Sequence, residues 1–409
     1  MKVLFVSNLY PPNAIGGYEQ LCFDVADAFV RRGHEVSVLT SDYGGGEKSY
    51  EGQTIFRGLR LNAPADNIYG SLHLTPDDRA AIDQHNAQQL MDVVEQISPD
   101  VIFVWNLYFL SQSFVDVIAS ADLPSVFFLT DNWLAAFLKP DYVARYFRDY
   151  VFSRPSFLRN WVGRLRRKDR GRKVDTHAIF SSRFMERYYR RAGLEFADTT
   201  VIYNGVTFPD EPAQSRGGRC VGTGVRLLFA GRVVEIKGVM TAIRALPFVS
   251  GACGGMDIEL SIVGDQQEKP FCDQVHALVR DLGLSAQISF LPPVSEAELP
   301  GLFASHDIYL FPSLYEPFSL TLLHAMNAGV PIVASSAGGN PEAIEHRRSG
   351  MLHQVGNHRE LAGSVVELIH NPDLANRLGR AAQERSMQFQ FEKMVNELDA
   401  YFQLLRGKE

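Results

Sequence analysis

Two short segments in the second half of the chain carry residue types that could handle a phosphorylated ligand. The first is Gly231-Arg232-Val233-Val234-Glu235-Ile236-Lys237-Gly238, which follows the apolar run Leu227 to Ala230 and precedes a helical pattern. Gly231 lets the backbone come close to a ligand, while Arg232 and Lys237 bring two positive charges to the carboxyl end of a strand, where a diphosphate would satisfy both. The second runs from Glu316-Pro317-Phe318-Ser319-Leu320 to His324, after the apolar run Ile308 to Phe311. Ser319 is a suitable helix N-cap, so the free amides near Phe318 to Thr321 are expected to bind an anion, and Glu316 just before them can accept hydrogen bonds from sugar hydroxyls. His324 falls about one to two turns into that helix, on or near its ligand side. No D-x-D sequence occurs anywhere, so this chemistry is expected to need no divalent metal.

The scaffold that must position these segments is legible as a rhythm of strands and helices. Val3 to Ser7 reads as a buried strand; after Gly16-Gly17 comes a helix with apolar Leu21, Val25, Ala28 and Phe29 that ends at Gly33, and Val36 to Thr40 is the next strand. The pattern returns at Val101 to Trp105, Val126 to Leu129, Ala178 to Phe180 and Val201-Ile202. Residues 209–224 turn polar and rich in glycine and proline, as an interdomain linker does. A second series follows, with strands at Leu227 to Ala230, Ile258 to Val263, Ile288 to Phe290, Ile308 to Phe311 and Ile332 to Ala334. The expected class is α/β: two doubly wound parallel-sheet (Rossmann-like) domains facing across a cleft, spanning 1–208 and 225–385. A basic insertion at about 145–175 interrupts the first, and a final helical segment, 386–409, is expected to pack back on it.

At 409 residues the chain exceeds what one core usually spans. Its net charge of −7 argues against nucleic acid as a partner. Cys22, Cys220, Cys253 and Cys272 are dispersed, with no C-x-x-C pair, as in reduced cytoplasmic proteins. No signal-peptide core is expected near the start, and no apolar run approaches the ~18 residues of a membrane helix. Nine cations, Arg154, Arg159, Arg164, Arg166, Arg167, Lys168, Arg170, Arg172 and Lys173, are interleaved with apolar residues such as Phe152, Phe157, Trp161 and Leu165. Residues 152–173 therefore either lie on anionic lipid, giving a peripheral position at the inner face of a membrane, or pack on their own domain. A nicotinamide site is disfavoured because Gly16 comes too late after the first strand for a G-x-G-x-x-G turn.

Taken in order, the motifs resemble those of glycosyltransferase family 4, the retaining nucleotide-sugar enzymes of GT-B fold. The resemblance rests on Pro11-Pro12 with Gly16-Gly17, Tyr203-Asn204-Gly205-Val206, Gly231 to Gly238, and Ile262-Val263-Gly264-Asp265. It continues through Phe311-Pro312-Ser313, the Glu316 motif and Ala328-Gly329-Val330-Pro331, and covers nearly the whole chain. It implies transfer of a hexose-type sugar from a nucleoside-diphosphate sugar to a hydroxyl acceptor (glycan, lipid-linked or small molecule) without metal, the donor being a co-substrate and no cofactor being bound. The first domain would be the acceptor side and the second the donor side. Arg232 and Lys237 would hold the diphosphate, Gly16 and Gly17 would approach it, and Glu316 would contact the transferred sugar. Backbone at Val263-Gly264 and Leu291-Pro292 would line the base, with Asn204 and Asp131 also contacting substrate. Two positions depart from the family. Thr130 stands where relatives commonly have histidine, and His324 replaces the glutamate that ends the E-x7-E motif and binds the ribose hydroxyls. Those departures leave open a nucleotide-sugar-binding or partner subunit without turnover, or an epimerase.

Overall fold

The computed structural model describes residues 1–13, 16–45, 49–64, 68, 72–152, 171–209 and 224–406. Among them, the strands form two sheets paired in parallel throughout. The first contains β1 (Lys2–Ser7), β2 (Glu35–Ser41), β3 (Gln53–Leu59), β4 (Val101–Asn106), β5 (Ser125–Leu129), β6 (Arg172–Phe180) and β7 (Leu194–Val201), in the order β3-β2-β1-β4-β5-β6-β7. The second contains β8 (Gly224–Ala230), β9 (Asp257–Val263), β10 (Ile288–Leu291), β11 (Ile308–Phe311), β12 (Ile332–Ser335) and β13 (Met351–His353), in the order β10-β9-β8-β11-β12-β13. Each order reverses direction once, between β1 and β4 and between β8 and β11. Such reversals open a crevice at the carboxyl ends of the strands.

The central strands are continuous apolar runs because helices cover both faces of each sheet. Phe5, Phe103, Phe127 and Phe128 are fully buried in the first, and Leu227, Phe229, Leu260, Ile262 and Val333 in the second. Each such side chain contributes about 1.5–3 kcal/mol of transfer free energy. The edges read differently. β3 carries Arg57 and Gly58, β7 alternates half-buried with exposed positions after a buried Leu194, and β13 is three residues long. None of them presents an apolar run, and of the strand expected at Val201-Ile202 only Val201 is in a strand, as the last residue of the longer β7, with Ile202 just beyond it.

Two compact units result: Met1–Tyr146 with Phe157–Tyr203 and Met394–Glu409, and Asn204–Lys393 with Phe147–Ser156. In the first, the ring of Phe402, on the final helix Phe391–Arg406, meets Phe103 and Phe29 edge-on at 4.8 and 5.7 Å. Asp399 of that helix pairs with His34 at 3.3 Å. In the second, Val206 bridges to Gln390, and Asn204 is tied to the Glu316 segment. That bonding makes Tyr203/Asn204 the unit boundary. Most of the expected 209–224 linker, 210–223, lies outside the described residues.

Candidate functional site

In the second unit the chain leaves β8 at Ala230 and immediately ties itself to the end of β9. The Gly231 amide donates to the Val263 carbonyl at 2.9 Å and the Val233 amide to the Asp265 carbonyl at 2.8 Å. A short 3-10 turn, Glu235–Lys237, follows and closes on Gly238 at φ 71°. A Cβ there would sit 2.0 Å from the Pro312 carbonyl oxygen, so the turn rests directly on the loop after β11. The Leu314 amide donates to the Ile236 carbonyl at 2.8 Å and locks the two together.

That lock sets Lys237 against Glu316. Lys237 Nζ donates to Glu316 Oε2 at 2.7 Å, with 24% of the lysine side chain exposed but only 4% of the glutamate's. Ser313 Oγ approaches the same oxygen at 3.4 Å. A carboxylate this buried is costly unless paired, and Lys237 supplies that partner while one side of the ammonium still meets solvent. The Gly339 amide donates to the Glu316 carbonyl at 2.8 Å from the other side. Gly338-Gly339, in the loop after β12, is thus the seat of the Glu316 peptide. Arg232 is exposed at the same strand end.

Ser319 caps the helix Leu320–Asn327, its Oγ accepting from the Leu322 amide at 3.2 Å. The Leu320 and Thr321 amides ahead of it occupy the first helical positions, where N–H groups have no intrahelical acceptor and carry the positive end of the dipole. Phe318 is buried, its ring 5.2 Å from that of Phe389. Phe318 can therefore serve a ligand through its backbone only. Asn204 is fully buried and donates from Nδ2 to the Phe318 carbonyl at 3.1 Å. Asn204, expected as a substrate contact, fixes the segment that carries the helix start. The Gly264 amide donates to the Leu291 carbonyl at 3.1 Å, which brings Gly264 beside Leu291 and its neighbour Pro292.

His324 has a protein partner. It is buried, and its Nε2 lies 2.9 Å from Glu296 Oε1, with Phe208 edge-on to the ring at 6.4 Å. The bond to His324 holds the Glu296 carboxyl below the usual glutamate range, so it is ionised and can only accept; the imidazole Nε2 therefore carries the hydrogen. His324 Nε2 is thus occupied by a protein carboxylate, and it is Glu296, with 54% of its side chain exposed, that presents a free face. Sequence reading passed over Glu296. The Ser295/Glu298 capping box announces a helical turn there, but nothing local announces a partner 28 residues away.

In the first unit, Gly16 and Gly17 are exposed at the start of the helix Gly17–Arg31, and the Gly16 amide is satisfied by Glu19 Oε2 at 2.9 Å. Gly16 has an extended φ of −159° that any residue adopts. Asp131 follows β5, its Oδ1 accepting from the Trp133 amide at 2.8 Å and its carbonyl from Tyr189 at 2.9 Å. Tyr18 donates to the adjacent Thr130 carbonyl at 3.3 Å. Burial pushes the Asp131 carboxyl up to about 7; the Trp133 amide opposes that shift and the buried Glu19 adds to it.

A carboxyl raised this far stabilises the fold while protonated and loses that contribution as pH climbs from the unfolded value, about 4, to about 7. Asp131→Asn should therefore leave stability unchanged near pH 4 and raise it by about 3–4 kcal/mol at pH 8. Urea unfolding midpoints at the two pH values test this, and equal offsets at both would place the titration elsewhere.

Of the basic stretch 152–173, residues 153–170 lie outside the described residues, as does Cys220. Cys22, Cys253 and Cys272 are buried free thiols. Among the described residues no helix is long and apolar enough to cross a membrane, and no group of three or more His, Cys, Asp or Glu is arranged to hold a metal ion.

Residues 15–208 match the model of Glycosyltransferase Family 4 and residues 213–385 that of Glycosyl transferases group 1. A glycogen synthase of Mycobacterium tuberculosis is 27% identical over 94% of this chain and 90% of its own length. A D-inositol 3-phosphate glycosyltransferase of Pseudarthrobacter chlorophenolicus is 33% identical, over 39% of this chain and 38% of that protein. Among solved structures, sucrose-phosphate synthase from Thermosynechococcus elongatus superposes with a TM-score of 0.76 at 18% identity, covering all of both chains. Anabaena HepE, solved with UDP-glucose, superposes at 0.65 and 21% identity over 98% of this chain and 99% of its own.

Proposed function

The chain belongs to glycosyltransferase family 4, has the GT-B fold and is a glycosyltransferase, and from that premise we propose that it moves a hexose-type sugar from a nucleoside-diphosphate sugar to a hydroxyl acceptor, with retention and without metal. One observation carries this reading: a buried Glu316 held at 2.7 Å by Lys237, immediately ahead of the helix that Ser319 caps. A carboxylate so placed accepts hydrogen bonds from sugar hydroxyls. Lys237, Arg232 and the Leu320 and Thr321 amides offer the positive field that the neighbouring diphosphate requires.

Breaking the bond between the anomeric carbon and the phosphate oxygen leaves negative charge on the diphosphate and oxocarbenium character on the sugar. Fixed cations and amides at the phosphate lower that barrier because they are already oriented before charge develops. Lys237 stands between Glu316 and the leaving group, so it can strengthen its contact with phosphate as the bond breaks without leaving the carboxylate. Attack from the same face, with the departing phosphate oxygen taking the acceptor's proton, retains configuration without a carboxylate nucleophile.

A panel of UDP-, GDP-, ADP- and dTDP-sugars, with UDP-glucose first, tests the donor by thermal shift and the reaction by NMR of the product in EDTA. One donor should raise the melting temperature by several degrees through mass action. It should also be consumed, with its anomeric configuration preserved. An inverted product or strict dependence on added metal would refute the mechanism, and a melting shift with no turnover on any acceptor would favour the binding-only reading.

A further inference from the structure

We propose that Glu296, aligned by His324, is the carboxylate that receives the vicinal hydroxyls of the donor's ribose; this rests on the donor reading above. The placement comes from the second unit alone. Glu296 lies on the short turn Glu296–Glu298 that follows β10, four residues beyond Pro292, whose neighbour Leu291 is bonded to Gly264. His324 lies five residues beyond Ser319, about 7 Å along the axis of the capped helix. Glu296 therefore stands between the backbone edge at Gly264 to Pro292 and the side of the helix whose start would take the diphosphate.

An ionised carboxylate repels phosphate, so it is the next part of the ligand, the nucleoside, that must meet it. Two acceptor oxygens with no hydrogen to give suit a pair of adjacent donors, and the 2′- and 3′-hydroxyls are the pair that ribonucleoside diphosphates share whatever their base. One oxygen, Oε1, is already bonded to buried His324, while 54% of the Glu296 side chain remains exposed. The imidazole removes rotamer freedom from an otherwise mobile surface glutamate, so less ordering is needed when ligand arrives. His324 is then a positioning residue that acts through Glu296.

The test is calorimetric titration with UDP and 2′-deoxy-UDP, or with GDP and its 2′-deoxy analogue if the panel selects GDP. Wild-type protein should bind the ribo form about 10- to 100-fold more tightly, the range of a charge-assisted hydrogen bond. Glu296→Gln, which keeps size and can still meet His324, should lose most of that preference by weakening the ribo form while leaving the deoxy form nearly unchanged. His324→Leu should lose it by a similar factor, and the double variant should lose no more than either alone. Equal loss for both ligands would reduce the pair to a structural contact and overturn the proposal. Tight ribonucleotide binding that Lys237→Met abolishes, with no change in sugar preference in Glu296→Gln, would overturn it while sparing the donor reading. Absence of binding by any ribonucleoside diphosphate would remove both.

Discussion

Lys237→Met should lower kcat/KM for the sugar donor by about a thousandfold or more, because it deletes a preorganised cation from the position where leaving-group charge develops. The same change leaves Glu316, with 4% of its side chain exposed, without its 2.7 Å partner. Stranding a buried charge is strongly destabilising; because Lys237 is itself partly solvated, about 2–3 kcal/mol is the expected cost here. The two effects separate in a double variant. Adding Glu316→Gln removes the stranded charge and should restore most of the lost stability in urea titrations, yet activity should stay at the level of the single variant or below. Recovery of turnover along with stability would mean that Lys237 serves only to neutralise Glu316.

Gly338→Ala should cost at least 3 kcal/mol, with donor turnover lost even where the chain still folds. Gly338 has φ 56°, and an added Cβ would lie 1.8 Å from the Glu316 carbonyl oxygen and 2.7 Å from its carbon. The left-handed conformation alone costs an alanine about 1 kcal/mol. The overlap is with backbone, which no rotamer change relieves, so either the loop or the Glu316 peptide must move. If the peptide moves, the Gly339 amide loses its 2.8 Å bond to the Glu316 carbonyl and the carboxylate shifts with it. Chemical denaturation and kcat of the soluble variant measure both consequences. Near-wild-type stability with intact kcat would show that the Gly338 loop plays no part in holding Glu316.

What the sequence discloses follows from how local each signal is. Central strands such as Val101 to Trp105 and Ile308 to Phe311 are buried on both faces and therefore announce themselves as apolar runs. Ser319 is legible as a cap because capping depends on residues within one turn. Edge strands β3 and β13 are not, since one is half polar and the other is held by β12 alone. The candidate site divides in the same way. Lys237 and Glu316 stand out by residue type and by following strands. The pairing of His324 with Glu296, the anchoring of Phe318 by Asn204 and the seating of Glu316 on Gly338-Gly339 are contacts between segments distant in the chain. No periodicity or propensity encodes them. His324 shows the consequence most plainly: its position in the helix is readable, but the direction in which its nitrogen is used is fixed by a residue on another element.

The most direct measurement is a crystal structure with the nucleoside diphosphate that the donor panel selects. Phosphate oxygens within about 3 Å of Lys237 Nζ and of the Leu320 and Thr321 amides are the expected result. A nucleotide bound with its phosphates away from Lys237 and the Ser319 helix start, leaving the Lys237 to Glu316 pair untouched, would contradict it.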